Sequence, residues 1–289
     1  MDLIWLLISS INFITSWKKS DFERLARLGR GSFGVVHHEI EKKTKRHVAI
    51  KEMQYETDQE KDMFNKEFQL MLNICNALHK VTQSQFIHVV EPIGFFIGED
   101  GDKAYLVMEF CSNGDMRKYI DDMRQMGADI KDERAFELIG QLIQAINQLH
   151  VNSIIHGDVK PENILMTDGF KVKLADFGLA RQLQVGREYT TNHGGTTIYL
   201  SPEILHGKDI QGQKQDQGKI RQTKAADIYA IGVMIFELLA QKHPFIGDNE
   251  EDLSLHEFTT RIINEEPAEL PSHYSENLKA LIKRMLEKA

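Results

Sequence analysis

Three polar side chains of complementary type fall in one short stretch of this chain: the carboxylate of Asp158, the ammonium of Lys160 and the carboxamide of Asn163. They lie in Ile155-His156-Gly157-Asp158-Val159-Lys160-Pro161-Glu162-Asn163. Such a set supplies a base near a hydroxyl, a cation and an oxygen ligand for Mg²⁺, which metal-assisted phosphoryl transfer requires. A second carboxylate follows in Leu174-Ala175-Asp176-Phe177-Gly178. A hard cation bridging phosphates wants a second oxygen ligand, and Asp176 can provide it. Two solvated turns could carry the same residue types, but the order and spacing favour chemistry.

Two weaker patterns lie upstream. Gly29-Arg30-Gly31-Ser32-Phe33-Gly34-Val35-Val36 is glycine-rich. Glycines let backbone amides approach a phosphate closely. In a dinucleotide-binding fold such glycines open a helix. Here β-branched residues and a turn follow, so the pattern predicts a hairpin folded over phosphates, and a plain glycine-rich hairpin fits it equally well. In Val48-Ala49-Ile50-Lys51, strand alternation puts Ala49 and Lys51 on one face. A small residue beside a lysine suits a flat ring near a phosphate. The tetrapeptide alone reads as an ordinary strand ending in an exposed lysine.

The elements that must position these residues divide along the chain. Residues 35–40 and 47–53 are β-rich and flank a turn at 41–46. Residues 58–78 read as a helix with Phe64, Phe68, Met71 and Leu72 on one face. Residues 105–110 form another apolar strand. Beyond Gly114 the pattern turns helical, with an apolar stripe through Phe136, Ile139, Leu142, Ile143, Ile146 and Leu149. Residues 228–240 predict a buried helix, and 278–286 a last amphipathic one. The polar run 208–223, rich in Gln, Lys and Gly, reads as an exposed loop. A strand-rich first part and a helix-rich second part predict an α+β chain of two lobes with a cleft.

Composition excludes several function classes. At 289 residues the chain is long enough to bury a core, and 42% hydrophobic with 27% charged residues rules out a disordered or many-pass membrane protein. Acidic residues outnumber basic ones, 43 to 35, for a net charge of -8, so no nucleic-acid partner is expected. The two cysteines, Cys75 and Cys111, make neither a disulfide framework nor a four-ligand zinc site. A reducing compartment, and so a cytoplasmic location, is expected. Residues 1–17 are apolar and precede Lys18 and Lys19. They are shorter than the roughly 20 residues of a spanning helix and are broken by Ser9, Ser10, Asn12, Thr15 and Ser16. A signal peptide wants a positive start, whereas the only early charge is Asp2. Membrane association through this segment is the less favoured reading.

Taken together, the ordered motifs resemble a eukaryotic protein kinase domain of the serine/threonine type, from about Phe22 to the end of the chain. Gly195-Thr196-Thr197-Ile198-Tyr199-Leu200-Ser201-Pro202-Glu203 resembles the segment that closes the activation loop, with Ser201 where alanine is usual. Asp227-Ile228-Tyr229-Ala230-Ile231-Gly232 resembles the start of the central buried helix, with Tyr229 in the usual tryptophan position. The resemblance implies a bilobal α+β kinase fold. An apolar extension would occupy 1–20, a β-rich N-lobe with one main helix about 21–108, a hinge about 109–115, and a larger helical C-lobe about 116–289. Family members continue past the last helix to an arginine that pairs with the glutamate equivalent to Glu203. The chain stops at Ala289, so a C-lobe lacking its last helix is expected.

The resemblance also implies roles, with ATP and Mg²⁺ as cofactors. Gly29, Gly31, Ser32, Phe33 and Gly34 would cover the phosphates. Lys51 would hold the α and β phosphates and pair with Glu67, chosen over Glu60 because Lys66-Glu67-Phe68-Gln69-Leu70 matches the family pattern. Asp158 would orient or deprotonate the substrate hydroxyl, Lys160 would steady the transferring phosphoryl group, and Asn163 and Asp176 would bind Mg²⁺. Met108 would guard the back pocket, and backbone groups of Glu109 and Cys111 would meet the adenine edge. Val36, Ala49 and Leu165 would sandwich the ring, and Asp115 would bind the ribose. Lys160 with Thr196 points to serine/threonine hydroxyls on protein substrates, and Leu179 mildly to serine.

One departure is Gly157, where an arginine is usual between His156 and Asp158. That arginine grips a phosphate on the activation loop, so activity is expected to depend little on phosphorylation of Tyr189, Thr190 or Thr191. His-Gly-Asp also occurs in small-molecule kinases resembling aminoglycoside and choline phosphotransferases, an alternative enzyme reading. The non-enzyme alternative is a pseudokinase or scaffold with a shortened C-lobe.

Overall fold

The computed structural model describes residues 13–31, 34–81, 86–183, 189–191, 196–207, 221–247 and 253–288. Ser32 and Phe33, and most of the polar run at 208–220, lie outside the described residues. The backbone forms two compact units. The first comprises Met1–Ser112 with Ala175–Gly178, and the second Asn113–Leu174 with Leu179–Ala289.

The first unit is built on a five-stranded antiparallel sheet in the order β1-β2-β3-β5-β4. Its strands are β1 (Phe22–Gly31), β2 (Gly34–Glu41), β3 (His47–Gln54), β4 (Pro92–Ile97) and β5 (Lys103–Glu109). β3 is paired on both sides, by β2 and β5. Its alternation sends Val48 and Ile50 into a cluster with Phe22, Ile93, Phe96, Tyr105 and Val107. Phe96 stacks between Phe22 and Tyr105, at centroid distances of 5.7 and 4.7 Å. Trp17 adds to this cluster from outside the sheet.

Helix α1 (Asp58–Val81) follows β3. Its start is closed by a reciprocal capping pair: Glu60 N–H donates to Thr57 Oγ1 at 3.2 Å, and Thr57 N–H to Glu60 Oε2 at 2.8 Å. Phe64, Phe68, Met71, Leu72, Cys75 and Leu78 are buried along one stripe. Phe13 lies 5.2 Å from Phe68 and 5.9 Å from Phe95. Ile14 bridges Gly94 in parallel, and the approach is so close that a Cβ at Gly94 would sit 2.1 Å from the Ile14 carbonyl oxygen. The part of the apolar extension that the structure describes is therefore packed on this unit. Among the described residues no helix is long and apolar enough to cross a membrane.

The second unit is mainly helical: α2 (Met116–Met126), α3 (Asp132–His150), α4 (Pro202–Gly207), α5 (Lys224–Ala240), α6 (Leu255–Asn264) and α7 (Glu276–Met285). α5 is buried on nearly every side from Ala226 to Leu239 and forms the core, as its run of apolar residues requires. Gly232 lets α7 approach it: a Cβ there would meet Met285 Cβ at 2.9 Å. Four short pairings complete the unit's loops. These involve β6 (Ile154–Ile155) with β9 (Arg181–Gln182), β7 (Ile164–Met166) with β8 (Val172–Leu174), β10 (Tyr189–Thr191) with β11 (Arg221–Thr223), and a bridge between Asp115 and Leu165. The end of the predicted polar loop is thus a strand, and its Gln222 is buried because its carboxamide has a backbone partner.

Candidate active site

In the first unit, strand and helix aim two opposite charges at each other. β3 carries Lys51, α1 carries Glu67, and Lys51 Nζ lies 2.5 Å from Glu67 Oε1. The same ammonium is 3.3 Å from Asp176 Oδ1. Lys51 and Glu67 are almost wholly buried, whereas Asp176 keeps 26% of its side chain exposed. Burial by itself pulls the Lys51 pKa down, but the charges and hydrogen bonds of Glu67 and Asp176 outweigh it and raise it. The cation is therefore permanent at neutral pH. Glu60, the other sequence candidate, is occupied in capping α1.

Asp176 adopts φ 59°, an uncommon conformation for a residue with a side chain. Such strain is held at sites where the surroundings over-determine it. The Gly178 N–H reaches back to Asp176 Oδ1 at 3.4 Å. The glycine-rich segment is a hairpin, with Gly31 opposite Gly34 at its tip. Gly34 admits no side chain, since a Cβ would sit 2.3 Å from the Glu52 carbonyl oxygen. Register places Val36 opposite Lys51 and Ala49 opposite Met108. The Glu109 N–H donates to the Glu91 carbonyl at 3.1 Å. Cys111 is buried.

In the second unit four predicted residues converge. Lys160 Nζ lies 2.6 Å from Asp158 Oδ2 and donates to Thr196 Oγ1 at 3.0 Å. The Thr196 N–H donates to Asp158 Oδ1 at 3.0 Å, and its hydroxyl donates to the same oxygen at 3.2 Å. Asn163 Nδ2 donates to the Asp158 carbonyl at 2.8 Å and to Oδ2 at 3.1 Å. Both carboxylate oxygens of Asp158 are thus oriented by donors. Asn163 spends its amide hydrogens on Asp158, which turns its carbonyl oxygen away from that residue. A short 3₁₀ turn, Pro161–Asn163, sets this geometry, with Pro161 fixing its first φ. Asp115 caps α2 by accepting the Lys118 N–H at 2.8 Å, and burial raises its pKa above the usual carboxylate range. Its backbone bridges Leu165, so these two predicted ligands are neighbours.

Sequence reading missed the support beneath this loop. Asp227, in the first turn of α5, accepts the Gly157 N–H and the His156 N–H, each at 3.0 Å, and lies 2.8 Å from His150 Nε2. A carboxylate opening an otherwise apolar buried helix was the available signal. A second network ties Arg117 to Glu237 at 2.7 Å and to Glu162 at 3.0 Å, with Tyr199 donating to Glu237 at 2.7 Å. Burial pushes the Glu237 carboxyl up, but its bonds to Arg117 and Tyr199 hold it below the usual range.

A mixed fold with a lysine–glutamate pair on the sheet and an oriented aspartate in the helical unit defines a class, the protein kinases. The model of the protein kinase domain family matches residues 22–289, and the chain belongs to that family. Its relatives are serine/threonine kinases. One is the probable serine/threonine-protein kinase nek2 of Dictyostelium discoideum, 31% identical over 268 residues, covering 92% of this chain and 58% of that protein. Another is serine/threonine-protein kinase Nek1 of Mus musculus, 29% identical, with 92% and 20% covered. Serine/threonine-protein kinase PLK4 of Nematostella vectensis is 30% identical, with 93% and 24% covered. The chain spans little more than half the length of the first of these relatives and a quarter or less of the other two.

Proposed function

We propose that this chain transfers the γ-phosphoryl group of ATP to serine or threonine hydroxyls of protein substrates. The observation that carries the reading is the Asp158 carboxylate held by Lys160, Thr196 and Asn163. Residues about 21–108 serve as the N-lobe, 109–115 as the hinge and 116–289 as the C-lobe.

Asp158 accepts the substrate hydroxyl proton as the oxygen attacks, and ADP leaves with the electrons of the broken bond. Lys160, already beside Asp158, supplies positive charge to the transferring group. Lys51 holds the α and β phosphates, and Glu67 keeps its ammonium in place. Asp176 and Asn163 offer a partly exposed carboxylate and an amide oxygen, the hard donors that Mg²⁺ prefers. Mg²⁺ held by such donors would neutralise phosphate charge. In the first unit, Val36 and Ala49 offer apolar surface to the adenine ring. The chain's contribution is mainly positioning and charge compensation.

The test is an assay of the purified chain with ATP–Mg²⁺ on a peptide library, with Asp176→Ala as control. Phosphate on Ser/Thr peptides, lost in the control, is the expected result. Nucleotide binding without transfer would replace this reading with a scaffold. Transfer to aminoglycosides but not peptides would replace it with a small-molecule phosphotransferase.

A further inference from the structure

We propose that Gln222 is a positioning residue that holds the loop carrying Asp158 and, through its own backbone, fastens strand β10. The proposal rests on the phosphoryl-transfer reading above and assigns that site a support specific to this chain.

Gln222 comes from a polar run yet is only 4% exposed. Its Nε2 donates to the Gly157 carbonyl at 3.0 Å. Gly157 has φ 78°, and a Cβ added to it would lie 2.9 Å from Gln222 Nε2 and 3.0 Å from Oε1. The carboxamide therefore fills the space that any side chain at 157 would need. The glycine and the glutamine are a matched pair. With Asp227 taking the Gly157 N–H at 3.0 Å, both polar groups of that residue are held immediately before Asp158. The cavity these residues line together with Thr196 and Ser201 is only about 10 Å³, room for one water, so the loop has little slack.

The same glutamine is the centre of β11, where it is registered opposite Thr190 in β10. One residue thus joins two segments, its side chain on the catalytic loop and its backbone on the strand between Asp176 and Thr196. An arginine at 157 would need a phosphate to make such a link. A neutral carboxamide bonded to a carbonyl needs none.

The test compares the full chain with Gln222→Met, which keeps the packing volume without a donor, and Gln222→Glu, which keeps the shape and sets a carboxylate against the carbonyl. Amide hydrogen exchange at residues 189–191 should quicken about tenfold or more in both. The kcat per folded molecule should fall about tenfold or more, as misplacement of a catalytic group does, with the ATP KM within about twofold. Unchanged exchange at 189–191, or an unchanged kcat alongside a lowered melting temperature, would make Gln222 merely structural and overturn the proposal. Should the parent chain transfer no phosphate at all, the kinase reading falls, while exchange at 189–191 still decides whether Gln222 holds the strand.

Discussion

The Lys51 ammonium lies 2.5 Å from the Glu67 carboxylate, joining the middle strand of the sheet to the helix that packs on it. Both groups are almost fully buried, so neither charge has a bulk-water alternative. In such a pair, loss of one partner leaves the other stranded. Lys51→Met is expected to lower kcat/KM on the order of 100-fold, through lost phosphate positioning. Glu67→Gln, which keeps the shape, is expected to lower it by about tenfold. Steady-state kinetics with varied ATP check both, and a rate within about twofold of the parent for either would remove that residue from the site.

Asp158 differs in kind, because donors from three residues orient its oxygens and, in the proposed reaction, it takes a proton. Asp158→Asn retains the size and the backbone contacts. The expected outcome is a kcat reduced about 10²–10⁴-fold with nucleotide affinity little changed. Calorimetric ATP titration beside the rate assay separates the two effects.

Thr190 and Thr191 belong to β10, which is paired in backbone register with β11. With Gly157 in place of an arginine, the site has no arginine at that position to grip a phosphate on β10. The double variant Thr190→Ala, Thr191→Ala is expected to keep its rate within about tenfold, or 1.4 kcal/mol. A larger fall in the peptide assay would show that phosphorylation is required.

His243 gives the stability a pH dependence. Burial pushes its pKa from 6.5 down to about 4; its Nε2 donates to the Ile198 carbonyl at 2.9 Å, and its Nδ1 accepts the Phe245 N–H at 3.3 Å, a role that requires the neutral ring. The folded state therefore binds fewer protons than the unfolded state between these values. Its contribution is complete above pH 6.5 and is lost as the pH falls toward 4, by about 3 kcal/mol in all. Urea unfolding of the parent and of His243→Gln across this range should show a steeper acid loss in the parent.

Trp17 stands outside the family match yet stacks edge-on against Phe22 at 5.3 Å and donates Nε1–H to Glu41 at 3.0 Å. Trp17→Ala is expected to destabilise the first unit by about 2 kcal/mol, less than a fully buried tryptophan would. Denaturant titration measures this, and an unchanged midpoint would reduce the segment to a loose tail.

Much of this architecture is legible in the chain because it rests on local rules. The alternation of Val48, Ala49, Ile50 and Lys51 sorts core from site. The stripe through Phe64, Phe68, Met71 and Leu72 marks the buried face of α1, and the unbroken apolar run of α5 marks the buried helix of the second unit. The same locality explains Glu60: three residues beyond Thr57, it caps the helix. Gln222 escaped because nothing near it in sequence distinguishes a buried glutamine from a solvated one, and Asp227 because a carboxylate opening an apolar helix signals an unusual residue without saying which loop it anchors. Composition misdirected the reading of Gln222, since a polar run is a solvated loop on average.

The sequence by itself determined the chemistry on offer: which carboxylates, which lysines, in what order, and which periodic stretches bury themselves. Those follow from residue type and from helix and strand periods, which act over a few residues. Only the tertiary structure decided which groups meet. The pairing of Lys51 with Glu67, the clasp of Thr196 on Asp158 and the fit of Gln222 into the space left by Gly157 join residues distant in sequence. Hydrogen bonds and ion pairs act over about 3 Å, and contact at that range between distant residues exists only after the chain has packed.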